Sequence, residues 1–322
     1  MNHFKLNTIS LALVTALVAP VAMAETNVYG KAHISVASID DAAGSSIAIS
    51  SHSSRFGVKG SVETEGSTEV FYKVEWQIDM TDDSAASDDH IKSRSQYIGV
   101  KDSWGTIKLG RDDSPYKKAG KKSIEFFSDT YADYNNIVDK GQDVRADSSM
   151  SYTVKAGPGK LSVMYAAGDD STAAENTGDM TSLSYNAKFG SVVLAVATQT
   201  INKSVTNDET GTKLVIGYGI SKATKVGFLF ETVSDDLTLD DTNTLLSVKH
   251  KLGKDAVKFA YGFKDQGNAN DATMLALAYD HKLNKSTTAY AIYADGADGG
   301  LNDSSKLAGD ASVIGAGLVV KF

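Results

Sequence analysis

Runs of about ten residues in which apolar and polar side chains alternate constrain this chain more than any other feature. Val70, Tyr72, Val74, Trp76 and Ile78 alternate with Phe71, Lys73, Glu75, Gln77 and Asp79. Leu183, Tyr185, Ala187 and Phe189 alternate with Ser182, Ser184, Asn186 and Lys188, and Val257, Phe259, Tyr261 and Phe263 with Lys258, Ala260, Gly262 and Lys264. Successive side chains of a strand point to opposite faces, so each run carries an apolar face and a polar or small one. A soluble sandwich shares this alternation. Its strands, however, are usually about five or six residues long, while about ten is the tilted span of a hydrocarbon core.

About sixteen such strands follow one another, an even number as bacterial barrels have. They cover 27–38, 52–63, 68–80, 91–102, 104–112, 145–156, 159–168, 179–189, 191–201, 210–220, 223–233, 242–252, 255–264, 271–282, 286–294 and 311–322. Connections alternate too: those at 64–67, 157–158, 190, 221–222, 253–254 and 283–285 are tight, while 39–51, 81–90, 113–144, 169–178, 202–209, 234–241, 265–270 and 295–310 are longer. Charge sorts the same way. The longer loops hold Asp40, Asp41, Asp82, Asp83, Asp88, Asp89, Asp169, Asp170, Asp235, Asp236, Asp240 and Asp241, and the tight turns and their shoulders hold Lys160, Lys188, Lys222, Lys225, Lys251, Lys254, Lys282 and Lys285. Tight turns at one rim and long loops at the other predict an all-β, transmembrane antiparallel barrel.

Residues 1–24 read as a cleaved secretory signal, with Lys5, an apolar run from Ile9 to Ala22, and Ala22-Met23-Ala24 before Glu25. Residues 25–322 then form a single barrel domain. Cysteine is absent, which removes disulfides and thiolate chemistry, and the formal charge of −8 argues against a nucleic-acid binder. The last run places Ile314, Ala316, Leu318, Val320 and a terminal Phe322 on one face, the pattern of an outer-membrane assembly signal.

The chain resembles the general diffusion porins of Gram-negative outer membranes. The resemblance is carried by Val28-Tyr29-Gly30-Lys31, Ser54-Arg55-Phe56-Gly57-Val58-Lys59-Gly60, Arg94-Ser95-Gln96-Tyr97-Ile98-Gly99-Val100-Lys101, Leu109-Gly110-Arg111 and Gly317-Leu318-Val319-Val320-Lys321-Phe322. It implies sixteen strands, a homotrimer, contact with outer-membrane lipid and LPS, and passive diffusion of ions and small hydrophilic solutes without a cofactor. It also implies that the third loop, here 113–144, folds into the barrel and faces a basic wall of Lys31, Arg55, Lys92, Arg94 and Arg145. Trimer contacts would come from the first strands and the second loop, 81–90.

Periodicity supports part of that wall independently. Lys31 is out of phase with Ala32 and Ile34, Arg55 shares a face with Gly57 and Lys59, and Lys92, Arg94 and Gln96 are expected on one face. Arg145 precedes a strand whose apolar face is Met150, Tyr152 and Val154, so it is expected to point inward. Glu125-Phe126 and Asp129-Thr130 resemble the family's acidic loop motif, Glu-Phe-Gly-Gly-Asp-Thr, with Phe127 and Ser128 in place of its glycines. Lys117, Lys118, Lys121 and Lys122 depart from it and leave the sign of ion preference open. Opposed charged walls would orient polar solutes across the bore, whose width would set the size limit.

Other classes fit less well. His33, His52, His90, His250 and His281 are scattered, no Gly-x-Ser-x-Gly elbow is present, and no His/Glu spacing suits a metal. The chain is therefore expected not to be an enzyme and to hold no metal. A substrate-specific channel or an adhesin using the outer loops is the alternative.

Overall fold

Each alternating run exchanges hydrogen bonds with its neighbours on both sides, which satisfies the ladder backbone within the wall. The computed structural model describes residues 25–322 apart from 65–66, 82–90, 140, 169–177, 205–206, 236–240, 266–269, 302–306 and 308. Its strands are β1 (Glu25–Asp41), β2 (Gly44–Ser51), β3 (Arg55–Glu63), β4 (Glu69–Ile78), β5 (Ile91–Asp102), β6 (Gly105–Asp113), β7 (Arg145–Ala156), β8 (Gly159–Ala166) and β9 (Met180–Phe189). They continue as β10 (Val192–Ser204), β11 (Asn207–Gly219), β12 (Thr224–Asp235), β13 (Asp241–Leu252), β14 (Asp255–Asp265), β15 (Ala272–Lys282), β16 (Thr287–Ala297) and β17 (Ala311–Lys321). Neighbours pair antiparallel throughout, and β17 returns to pair with β1, which closes the barrel. Closure reaches the terminal residue: Gly30 N–H donates to the Phe322 carbonyl at 2.9 Å, and Phe322 N–H to that of Gly30 at 3.2 Å.

Seventeen segments make sixteen staves, because β2 and β3 both pair with β1 and are halves of one. Ser53 has φ 48 and interrupts the ladder. The Ser54 hydroxyl repairs the break, accepting from His33 N–H at 3.0 Å and donating to the His33 carbonyl at 3.2 Å. Two expectations change here. The connection 39–51 is not a long loop; β1 runs on to Asp41 and β2 begins at Gly44, leaving a two-residue turn. Its Ser- and Ala-rich composition hid the alternation of Ile47 and Ile49. The connection 202–209 likewise shrinks to 205–206, since β10 and β11 extend beyond their apolar stretch.

Cross-strand partners share a face. Lys160, Asn186, Ala195, Val215, Leu229, Leu245, Gly262 and Met274 are successive ladder partners from β8 to β15 and lie on the inner face. The outer face leaves Val28, Ile49, Ile216, Phe228, Leu246 and Tyr261 exposed. Water would oppose such a surface, whereas a hydrocarbon bilayer is a good solvent for it.

Candidate functional site

The connection between β6 and β7 begins with a built start signal. Ser114 caps helix α1 (Pro115–Lys118) by accepting from Lys117 N–H at 3.1 Å, and Pro115 occupies the first turn, where its missing N–H costs nothing. Gly120 then takes the left-handed conformation and leads into α2 (Lys121–Ile124). Ile124, Phe127, Tyr131, Tyr134 and Ile137 are all buried, in one cluster with the inward-facing Val215, Leu229, Leu245, Ala260 and Met274. Burying a side chain of this size is worth about 1.5–3 kcal/mol.

Missing side chains on the wall make the close approach possible. A Cβ on Gly227 would lie 2.0 Å from the Ser123 carbonyl oxygen, and one on Gly262 would lie 2.3 Å from Ile137 Cγ1. Polar anchors complete the seat. Tyr116 donates its hydroxyl to Glu231 at 2.8 Å, Asp139 N–H donates to the same carboxylate at 2.7 Å, and Asn243 supplies a third bond at 2.7 Å. Lys213 stands 4.2 Å from the centre of the Tyr116 ring.

The predicted basic residues divide by partner. Lys31 and Arg55 meet one carboxylate, Asp129, whose contact with Arg55 is 2.7 Å. Arg94 donates to Glu75 at 2.9 Å and Gln77 at 2.8 Å, and Arg145 pairs with Asp113 at 2.9 Å. Lys92 is exposed and lies opposite Gln77. Gln96 does not share its face as expected. An irregularity between Val74 and Trp76 pairs Gln77 with Lys92 but Val74 with Gln96, and the inserted residue switches the phase.

The loop lysines divide too. Lys117 pairs with Asp143 at 2.8 Å, Lys118 with Asp112 at 2.7 Å and Lys121 with Glu125 at 3.2 Å, whereas Lys122 is exposed with no carboxylate partner among the described residues. Asp129 sits at φ 54 and receives Lys31 and Arg55 at the tip of the connection. Burial alone would raise its carboxyl, but Arg55 and Lys31 hold it below the ordinary carboxylate range. Glu125 goes the other way: burial pushes it up to about 7 against the opposing pull of Lys121. Burial, with the charge of Asp129 beside it, lifts Asp133 to about 6.

Several residues that the sequence reading missed complete the arrangement. Glu75 also accepts from Tyr29 at 2.8 Å and pairs with Lys73 at 3.1 Å. Asp112 receives Lys108 at 3.0 Å as well as Lys118. His33 bonds Tyr290 at 2.8 Å, His52 bonds Ser35 at 2.6 Å, and the Tyr131 ring meets His52 edge-on. Phase is the sequence signal for Lys73, Glu75 and Lys108, which alternate with Tyr72, Val74, Ile107 and Leu109. On the β1–β7 side three clusters thus carry two bases to one acid: Lys31 and Arg55 on Asp129, Lys73 and Arg94 on Glu75, and Lys108 and Lys118 on Asp112. The acidic outer loops at 82–90, 169–177 and 236–240, the second loop included, lie outside the described residues, as does the expected signal at 1–24.

The sequence profile of the family described as Gram-negative porin matches residues 10–300. No curated protein sequence matches the chain. Among solved structures, an anion-selective porin from Comamonas acidovorans aligns with TM-score 0.79 and 19% identity over 93% of this chain and 100% of its own. OmpF of Salmonella typhi in complex with daunomycin aligns with TM-score 0.72 and 13% identity, over 92% and 97%. In-vitro folded OmpT of Vibrio cholerae in its trimer form gives 0.67 and 17%, over 93% and 99%. These likenesses show the same closed barrel. With the profile match, the outward apolar face and the charged inner wall, they place the chain in the Gram-negative porin family, as a diffusion channel of the outer membrane.

Proposed function

We propose that ions and small hydrophilic solutes cross between the inner wall of β3–β7 and the connection 114–144, in each subunit of a homotrimer. Passage is passive and uses neither cofactor nor catalysis. LPS contacts fall to the outer rim, and residues 1–24 are removed on export. The observation that carries the reading is the seating of the connection against β11–β14, which leaves the side of Arg94, Glu75 and Lys108 to line the path. The three clusters of two bases and one acid give that path a positive balance, so anions are favoured over cations of like size.

Planar-bilayer recording across a KCl gradient tests both statements. Ohmic steps with a reversal potential of the anion-preferring sign are expected. Folded barrel without steps would remove the channel reading, and the opposite sign would remove the selectivity alone.

A further inference from the structure

On the tight-turn side of the 114–144 connection lies a cavity of about 370 Å³ with no carboxylate in its lining among the described residues. Lys122 enters it from α2, Lys188 from the end of β9, Lys222 from the turn after β11 and Lys225 from the start of β12, with Ser191 and Ser221 between them. All four lysines are exposed, and none has a carboxylate within 4.0 Å among the described residues. This sets them apart from Lys117, Lys118 and Lys121, and from Lys249 and Lys258, which reach Asp280 at 3.9 and 2.7 Å. The ladders put Lys188 in phase with Asn186 and Lys225 in phase with Leu229, on the inner face rather than toward lipid. Four lysines from four elements thus line one recess at the turn-side rim beside the path, whose lining also takes in Tyr218 and Ile220 of the outer face.

We propose that this recess binds the phosphoryl groups of small soluble solutes as they cross the pore. Four like charges around one recess repel one another, and a multivalent oxyanion relieves that repulsion while accepting charge-assisted hydrogen bonds from several ammonium groups. A monovalent anion relieves less of it, so the recess discriminates by charge. Its place next to the wall makes it a waiting position on the path.

The proposal rests on the channel reading, and one recording separates the two. Channels in bilayers of zwitterionic lipid and about 0.1 M KCl, where charges interact over about 10 Å, receive inorganic pyrophosphate on the turn side. Saturable current reduction is expected, at lower concentration than from the loop side and lost at about 1 M KCl, where screening shortens to about 3 Å. Lys188→Gln with Lys225→Gln is expected to raise the half-blocking concentration about tenfold, as loss of two charge-assisted contacts implies. Lys160→Gln, an inward lysine outside the recess, is expected to change it less than about twofold. KCl steps without pyrophosphate block overturn the recess and leave the channel; absent steps overturn both. Equal effects of Lys160→Gln and the double variant would show diffuse vestibule charge and overturn the site. Repeating the titration with phosphatidylglycerol in the bilayer separates the phosphate sources. An unchanged midpoint supports a soluble ligand, and loss of the block shows a lipid headgroup in the recess and overturns the proposal.

Discussion

The inner walls of β11–β14 and β3–β7 share an outer face of exposed apolar side chains but differ inside. On β11–β14 the inward positions include Val215, Gly217, Gly227, Leu229, Leu245, Ala260 and Gly262, and the 114–144 connection is pressed against them. On β3–β7 they include Arg55, Lys73, Glu75, Gln77, Tyr97, Lys108 and Asp112, joined by ion pairs and hydrogen bonds along the wall. A wall of small and apolar residues with a few buried polar anchors takes a loop, whereas the other wall pairs its charges with one another. The loop meets the charged side through ion pairs, with Arg55 of β3 and Lys31 of the neighbouring β1 on Asp129 and Lys118 on Asp112.

Filling the seat should break this contrast most strongly. Gly227→Val would drive its side chain into the Ser123 backbone, and overpacking of this kind costs about 1–3 kcal/mol. We expect faster hydrogen exchange at 121–124 and a larger single-channel conductance from a barrel that still closes. An unchanged exchange rate would mean that the wall does not hold the loop.

Acidity should act on the same seat with a determined sign. Glu125 and Asp133 bind protons more tightly in the docked loop, at about 7 and about 6, than in a free chain. The resulting penalty is full at about pH 8 and above, and is relieved as pH falls through these values toward the ordinary carboxylate range. Docking should therefore be firmer at pH 5 than at pH 8, by on the order of 2 kcal/mol. Exchange protection of 121–138 measured at the two values checks the sign. Anion preference should rise in parallel as the two negative charges disappear.

Asp129→Asn sharpens the contrast from the other side. Asn tolerates the left-handed backbone there, so the change removes charge with little strain. Lys31 and Arg55 lose their shared counter-charge, and the reversal potential should move further toward the anion limit. No movement would mean that the tip lies off the path. The smallest effect belongs to the exposed pair of Lys101 with Glu69, 2.8 Å apart at the turn-side rim. Lys101→Met should move the thermal melt least of these changes, because solvent screens an exposed pair.

Legibility in the sequence followed range. The strands, their span and their outward face were readable because alternation is local, with a period of two along one segment. The break at Ser53 and the irregularity opposite Glu75 were not, since a one-residue change of phase leaves composition untouched. Arg94 and Arg145 could be picked from motif and phase, but not that Glu75 and Asp113 would hold them. Nor could the four loop lysines be told apart, although three are paired and Lys122 has no carboxylate partner among the described residues.

By itself the sequence determined a closed barrel of lipid-spanning strands, with acidic long loops at one rim and basic tight turns at the other. Tertiary structure alone decided which charges inside it remain uncompensated. An ion pair needs atoms within about 4 Å whatever their distance along the chain. Lys31 and Asp129 stand 98 residues apart, and Tyr116 and Glu231 stand 115 apart. Only closure of the barrel and seating of the loop bring such groups together.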